Sequence, residues 1–221
     1  MSVKQDWMRA ARAFADLVDR LPAGRWESPS LGEWSLRELV GHTTSAGVRE
    51  VISAVDHPAP NEDIKTPGGY YALAQSVDAG TYAAAVAAST YDARNTGQAL
   101  GDAPASAVQD LVNRAVAKLE PVDVDALVTT AAGGMRLGGW LPTRTFELVV
   151  HCLDMATAAG VEDGVPDDLI AHAAALAAST AATIGYGRTL LLALTGRGDL
   201  PQHFSVLRPS QESRSGHEHA S

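Results

Sequence analysis

One apolar segment in the second half of the chain carries three ionisable side chains at helical spacing. Within residues 145–159, TFELVVHCLDMATAA, the acidic and histidine side chains are Glu147, His151 and Asp154. At about 100° per residue, these positions fall within one narrow stripe of a helix, and apolar residues flank the stripe on both sides. Because an unpaired charge in apolar surroundings is costly, the three groups need partners. A Glu and a His one turn apart can bind the same metal ion.

A metal ion at this stripe needs a third ligand from elsewhere in the chain, and His42 is the candidate. It follows Leu39 on a predicted helix, next to the small residues Ser45 and Ala46, which leave space beside a metal. Two imidazoles and one carboxylate leave a fourth position open, which is typical of catalytic zinc, and the same ligands can hold iron or nickel. We expect Asp154 to support catalysis by orienting an imidazole from the side away from the metal.

Other polar residues have less specific interpretations. Without a metal, the three residues of the stripe can form a buried hydrogen-bonded network, so this alternative stays open. Cys152 lies away from the stripe and is predicted to be a small buried hydrophobe. We expect two further histidines to be solvated, although either could approach the site: His57 and His172. Three arginines could bind a carboxylate: Arg136, Arg144 and Arg188. Three tryptophans are expected to pack around the end of the fold: Trp26, Trp34 and Trp140.

The composition favours a helical protein and argues against several classes of partner. Of the 221 residues, 46% are apolar but only 5% are aromatic, and alanine supplies much of the difference. Alanine favours close-packed helices. The formal net charge of −9 argues against nucleic acid or an anionic membrane as a partner. The chain lacks a long apolar run and an apolar secretion signal, and it has a single cysteine, so we expect a cytoplasmic protein without an internal disulfide.

Apolar periodicity and stop signals predict the elements that would position these residues. We expect helices over residues 3–21, 35–57, 71–100, 105–119, 143–160 and 167–194. The segment SLRE, which begins at Ser35, is a capping box. Residues 58–69 are predicted to be a long loop, and residues 122–140 a brief strand or an ordered loop. The third and fourth helices could instead be one helix with a break.

These elements predict an all-α protein, an antiparallel four-helix bundle with an extra helix and long connections. We expect the bundle domain to cover residues 1–209. Residues 210–221 have no apolar pattern and are predicted to be a disordered tail or a cloning remnant.

Two segments of the sequence resemble motifs of a known family. Residues 31–42, LGEWSLRELVGH, are similar to the GWS-x-x-(D/E)-L-x-x-H motif of mycothiol-dependent maleylpyruvate isomerase N-terminal domains. Residues 144–154, RTFELVVHCLD, are similar to the R-x-x-E-x-x-x-H-x-x-D helix of that family, and residues 189–196 resemble its C-terminal helix. The resemblance spans about residues 5–207 and implies the DinB/YfiT-like type of metal-binding four-helix bundle.

The resemblance implies a metal site and a thiol cosubstrate. It assigns zinc ligands to His42, Glu147 and His151, and it implies a low-molecular-weight thiol such as mycothiol, whose pKa zinc would lower. The isomerase itself has a second, sterol-carrier-like domain, whereas only a short polar segment follows Pro209 here. We therefore expect a zinc-dependent thiol S-transferase or thiol-dependent isomerase that acts on a small electrophile other than maleylpyruvate.

A protein of another class is the alternative. The bundle could bind a metal or a small ligand without turnover, as a sensor, a carrier or an interaction module, because one fold hosts many functions. It could also form a homodimer. The identity of the substrate does not follow from the residues.

Overall fold

Helices make up most of the protein, and the computed structural model describes residues 2–207. In chain order, the helices are α1 Val3–Arg20, α2 Leu36–Thr43, α3 Glu50–Asp56, α4 Pro67–Ser76, α5 Ala79–Ala99, α6 Pro104–Leu119, α7 Leu137–Ala159, α8 Asp167–Thr183 and α9 Gly187–Leu194. Two small antiparallel hairpins pair β1 Pro29–Leu31 with β2 Trp34–Ser35, and β3 Leu127–Thr130 with β4 Gly133–Arg136. The predicted all-α class is confirmed. The predicted tail, residues 210–221, lies outside the described residues.

One apolar core lies between α1, the α2–α3 segment, α6 and α7. Helix α1 packs against α6 and α7, α2 packs against α7, and α3 packs against α6. Large, fully buried side chains of these helices fill the centre: Trp7, Phe14, Leu39, Leu119, Trp140 and Leu148. Burial of each such side chain contributes about 1.5–3 kcal/mol, so this core stabilises the arrangement that brings α2 and α7 together.

The second helix of the bundle contains a π-helical turn, Thr44–Arg49, that the sequence did not predict. The capping box at its start is confirmed, because the Ser35 N–H donates to the Glu38 carboxylate at 2.8 Å. A π turn interrupts the regular ladder of helical hydrogen bonds. Two side chains donate to carbonyl oxygens of this turn. Trp7 Nε1 donates to Gly47 at 3.0 Å, and Arg144 donates to Ala46 at 3.1 Å.

Two helices predicted as continuous are each divided in two. The prediction of one helix over residues 71–100 is wrong, because α4 ends at Ser76 and α5 begins after Asp78. The Asp78 carboxylate accepts the N–H of Thr81 at 3.0 Å and so caps α5. The prediction of one helix over residues 167–194 is also wrong. Gly185 has a φ of +93°, a conformation that ends α8 before α9 begins.

Helix α7 begins earlier than its proline signal indicated. It starts at Leu137, directly after β4, and includes Pro142, so the predicted start at Thr143 is wrong. A proline this close to a helix N-terminus removes only one intrahelical hydrogen bond. The hairpin β3–β4 precedes α7, and the predicted loop after α3 forms isolated bridges to it, from Pro58 to Val128 and from Ile64 to Met135.

Helix α5 lies directly against α2. A Cβ atom on Gly41 would lie 2.2 Å from the carbonyl oxygen of Ala93, and one on Gly97 would lie 2.6 Å from that of Arg37. Only glycine fits at these two positions, so the backbones of α2 and α5 are in contact there.

Two leucines of α9, the last helix of the described residues, are largely exposed. Leu191 and Leu194 on α9 are 64% and 73% exposed.

Among the helices within residues 2–207, we find none that is long and apolar enough to cross a membrane. The homodimer and the lack of a nucleic-acid partner stay predictions.

Candidate metal centre

His42, Glu147 and His151 meet between α2 and α7. Each offers one ligand atom, and these atoms all lie within 4.8 Å of one another. Glu147 Oε2 lies 3.3 Å from His151 Nε2 and 4.0 Å from His42 Nε2. The two imidazole rings meet edge to face, with centroids 4.9 Å apart. The structure therefore brings together the three predicted ligands, and their role in binding a metal stays a prediction.

One of the separations between these atoms matches that around a tetrahedral divalent ion, and another is longer. Two ligand atoms at 2.0–2.1 Å from a tetrahedral zinc ion are about 3.3 Å apart. The separation between Glu147 and His151 already has this value. The separation between His42 and Glu147 would have to shorten by roughly 0.7 Å, from 4.0 Å to about 3.3 Å. The three side chains are 10–16% exposed, so the cluster lies largely out of contact with solvent.

Asp154 contacts the His151 ring on the side that faces away from the other two predicted ligands. Its Oδ2 atom lies 3.0 Å from Nδ1 of that ring. When Nδ1–H donates to this carboxylate, Nε2 is the nitrogen left to face Glu147. The structure thus places Asp154 where the sequence predicted it, against the imidazole on the side away from the cluster. Its part in catalysis stays a prediction.

Two hydroxyl groups hold the other two predicted ligands in a similar way. The Tyr71 hydroxyl lies 3.4 Å from Oε1 of Glu147, and Ser89 Oγ lies 3.3 Å from Nδ1 of His42. In both cases the hydroxyl contacts the atom, Oε1 or Nδ1, that faces away from the point between the three predicted ligands. The sequence did not reveal either residue, because they belong to the crossover between bundle helices and have no periodic relation to the ligands.

Trp34 lies against the site. Its ring centroid is 4.7 Å from that of His42, and its Nε1 donates to Thr90 Oγ1 at 3.3 Å. The interpretation of Trp34 as a packing residue at the end of the bundle was therefore incomplete. Its place in the GWS-like motif, directly before the cap of the helix that carries His42, was an available signal. Trp26 and Trp140 are buried in the core, as predicted.

Arg144 is a buried cation beside the site. It is 3% exposed, and its guanidinium donates to Glu50 Oε2 at 2.9 Å and to the Tyr70 hydroxyl at 3.3 Å. It also lies over the rings of Tyr70 and Trp140, at 5.3 and 5.4 Å from their centroids. The sequence proposed Arg144 as a group that binds a carboxylate, and the carboxylate it binds in the structure is that of Glu50.

The remaining candidates from the sequence have other contacts. His172 Nδ1 lies 3.1 Å from Asp6, and Arg136 lies 3.3 Å from Glu62. Two residues are exposed: His57 and Arg188. Cys152 is 1% exposed, which confirms the prediction for this residue, and burial raises the pKa of its thiol to about 12. This thiol is therefore not a reactive nucleophile in the folded protein.

Burial and charge set the protonation of the cluster. Burial, together with the smaller effect of the charge of His151, lowers the pKa of His42 to about 4. Burial alone would raise the pKa of Glu147, but hydrogen bonding to His151 and the charge of Arg144 outweigh it and lower the pKa to about 2. For His151, burial acts to lower the pKa, but hydrogen bonds to Asp154 and Glu147 outweigh it and raise the pKa to about 9. At neutral pH the metal-free cluster thus holds one proton, which a metal ion would replace.

Comparison with known proteins identifies the family of the chain. The family model described as "Mycothiol maleylpyruvate isomerase N-terminal domain" matches residues 7–156, more than half of the chain. The matched part extends from α1 into α7 and includes His42, Glu147, His151 and Asp154. No curated protein and no solved structure matches the chain. The chain belongs to the mycothiol maleylpyruvate isomerase N-terminal domain family.

Proposed function

We propose that this protein is a divalent-metal-dependent enzyme that uses a low-molecular-weight thiol. In this proposal the metal is zinc, and the reaction is an S-transfer or a thiol-dependent isomerisation of a small electrophile in the cytoplasm. The observation that carries the proposal is the cluster of His42, Glu147 and His151, whose ligand atoms lie within 4.8 Å of one another. The family's printed name, which includes mycothiol, supports a thiol of that kind as the cosubstrate.

The residues of the cluster have separate tasks in this proposal. His42, Glu147 and His151 hold the metal, and Asp154 keeps His151 oriented through its 3.0 Å contact with Nδ1. When bound, a zinc ion with three protein ligands supplies an open position where it lowers the pKa of a thiol, so that a thiolate is available at neutral pH. The Trp34 ring packs against the His42 imidazole at a centroid distance of 4.7 Å and helps to fix its position.

The chemistry of the two reactions balances without a redox partner. In an S-transfer, the sulfur uses its own electron pair to form a bond to an electrophilic carbon. The leaving group departs with the electron pair of the broken bond, and the thiol proton goes to solvent. In an isomerisation, the sulfur adds to a carbon–carbon double bond, the resulting single bond rotates, and the sulfur leaves again. Both reactions need the nucleophilic thiolate that zinc provides.

A thiol-consumption assay tests the proposal. Zinc-loaded protein is mixed with mycothiol, glutathione or cysteine and with a panel of electrophiles, such as an epoxide, a chloronitrobenzene and maleate. His151→Ala is the test variant. His172→Ala is the matched control, because that histidine is 55% exposed and contacts Asp6. We expect faster thiol consumption with the parent and the control, and the uncatalysed rate with His151→Ala.

Two other results would contradict the enzyme proposal in different ways. If thiol consumption stays at the uncatalysed rate for every electrophile, but a thiol alters the visible spectrum of the cobalt-loaded protein, the protein is a metal and ligand-binding module. If neither rate nor spectrum changes, the thiol proposal is wrong as a whole.

A further inference from the structure

The crossover between α3 and α6 contributes two side chains to the candidate metal centre. Helices α4 and α5 belong to this crossover and supply none of the three predicted ligands. Each helix nevertheless brings one hydroxyl group to the atom of a predicted ligand that faces away from the centre. On α4 this residue is Tyr71, and on α5 it is Ser89.

Tyr71 is held so that its hydroxyl stays beside Glu147. The side chain is 6% exposed, and its ring packs against Tyr70 and Phe146 at centroid distances of 5.4 and 5.8 Å. The single hydroxyl proton has two acceptors in reach, Glu147 Oε1 at 3.4 Å and the Thr143 carbonyl oxygen at 3.2 Å. A contact to Oε1 directs Oε2 towards the two imidazoles.

Ser89 is held by the close contact between α2 and α5. Gly41 precedes His42 in the sequence and touches the backbone at Ala93, one helical turn after Ser89. This contact leaves Ser89 Oγ at 3.3 Å from Nδ1 of His42, while Trp34 lies against the same imidazole. When Nδ1–H donates to Ser89, the nitrogen available to a metal is Nε2.

We propose that Tyr71 and Ser89 are positioning residues for the metal ion: Tyr71 selects Oε2 of Glu147, and Ser89 selects Nε2 of His42, as the ligand atoms. The inference rests on the proposed metal site and extends it, because it makes the crossover a part of that site. Loss of such a hydrogen-bond partner of a metal ligand typically lowers metal affinity by about 10- to 100-fold. Because the two hydroxyls hold different ligands of the same ion, the double variant should bind zinc more weakly than either single variant, and the three affinities together measure the coupling between the two contacts.

The test compares zinc affinities of variants that lose only a hydroxyl group. The test variants are Tyr71→Phe, Ser89→Ala and the double variant. The controls make the same chemical changes on the same two helices. Ser76→Ala removes a hydroxyl that bonds within α4, and Tyr91→Phe removes a hydroxyl from a side chain of α5 that is 70% exposed. Zinc dissociation constants come from competition with a chelator, cobalt spectra report ligand geometry, and thermal melting of the metal-free proteins reports folding.

We expect each single variant to bind zinc about tenfold more weakly than its control, and the double variant to bind more weakly than either single variant. We also expect an altered cobalt spectrum and an unchanged melting temperature of the metal-free protein. Ser89→Thr, which keeps a hydroxyl, should restore most of the affinity. Zinc affinities of the test variants within about twofold of the controls would overturn the inference, while the proposed function stands. The same holds if a loss of affinity is matched by a loss of metal-free stability. A parent protein that binds no zinc would overturn both.

Discussion

Nε2 of His151 lies 3.3 Å from Oε2 of Glu147, one turn earlier on α7. This is the separation of two ligand atoms on a tetrahedral zinc ion. Nδ1 of the same ring lies 3.0 Å from Asp154, so the imidazole stands between two carboxylates. Such a position favours a cation, which is a proton in the metal-free protein and a metal ion in the proposed holoprotein.

The protonation of His151 predicts the pH dependence of zinc binding. Its pKa in the metal-free protein is raised to about 9, whereas that of His42 is lowered to about 4. At pH 7, His151 is therefore protonated and His42 is neutral, so zinc binding should release about one proton. Apparent zinc affinity should rise about tenfold per pH unit from pH 7 to 9 and level off above. Calorimetry in buffers of different ionisation enthalpy counts the protons, and a count of zero at pH 7 would contradict the assignment.

Asp154→Asn should change this proton count. The hydrogen bond that His151 donates to Asp154 is the largest influence that raises the pKa of His151. An amide can still accept a hydrogen bond, but it carries no charge, so the imidazolium loses much of its stabilisation. We expect the number of protons released at pH 7 to fall to about half or less, as measured by the same calorimetry. Asp102→Asn, at an exposed residue, is the control, and an equal proton count in both variants would show that Asp154 does not influence His151.

Arg144 is predicted to stabilise the fold. It donates to the Glu50 carboxylate and to the Ala46 carbonyl of the π turn. We expect Arg144→Met to lower the free energy of unfolding by about 3 kcal/mol, because the buried Ala46 carbonyl and the partly exposed Glu50 carboxylate lose their donor. Urea denaturation measures the change. Arg136→Met is the control, since that arginine is half exposed and its ion pairs should contribute less than about 1 kcal/mol. Equal effects of the two substitutions would refute a stabilising role for Arg144.

Gly41 is predicted to be irreplaceable at the contact between α2 and α5. An added Cβ would lie 2.2 Å from the Ala93 carbonyl oxygen, so the two helices would have to separate. We expect Gly41→Ala to lower the free energy of unfolding by about 1–3 kcal/mol and to weaken zinc binding by moving Ser89 away from His42. Gly24→Ala, where no atom lies within 4 Å of the added carbon, should leave both quantities unchanged. Denaturation and chelator competition measure them, and an unaffected Gly41→Ala protein would show that the contact is not close.

The polar residues of α7 could be predicted from the sequence because the pattern that identifies them lies within one helix. Glu147, His151 and Asp154 lie at helical intervals in an otherwise apolar helix, and neither their spacing nor their apolar flanks depend on the rest of the fold. The bundle was predictable for a similar reason, because each long helix has an apolar face and several have capping residues such as Ser35.

The π turn and the residues around the site could not be predicted from a local sequence pattern. The carbonyl oxygens of Thr44–Arg49 accept hydrogen bonds from Trp7 and Arg144, which are distant in sequence. Tyr71 and Ser89 likewise reach the site only through the packing of the crossover on α2 and α7. No periodicity links such partners, so the sequence alone could not pair them.

The helix breaks were missed for a local reason. Asp78, with Gly80 and Thr81 after it, is a capping signal, and Gly185 is a stop signal. Both lie between stretches in which alanine or leucine gives a high helical propensity. The propensity of the surrounding residues masked a single capping or stop residue within an apparently continuous pattern.

Metal content tests the central claim most directly. The full-length protein and its His151→Ala variant are purified without nickel resin, supplied with zinc, dialysed and measured by mass spectrometry. Both proteins carry the same His217 and His219 near the C-terminus, so any zinc held by those residues cancels in the comparison. The account predicts about one equivalent of zinc in the parent beyond that in the variant. Equal zinc contents in the two proteins would contradict it, and Glu147, His151 and Asp154 would then form a hydrogen-bonded network without a metal.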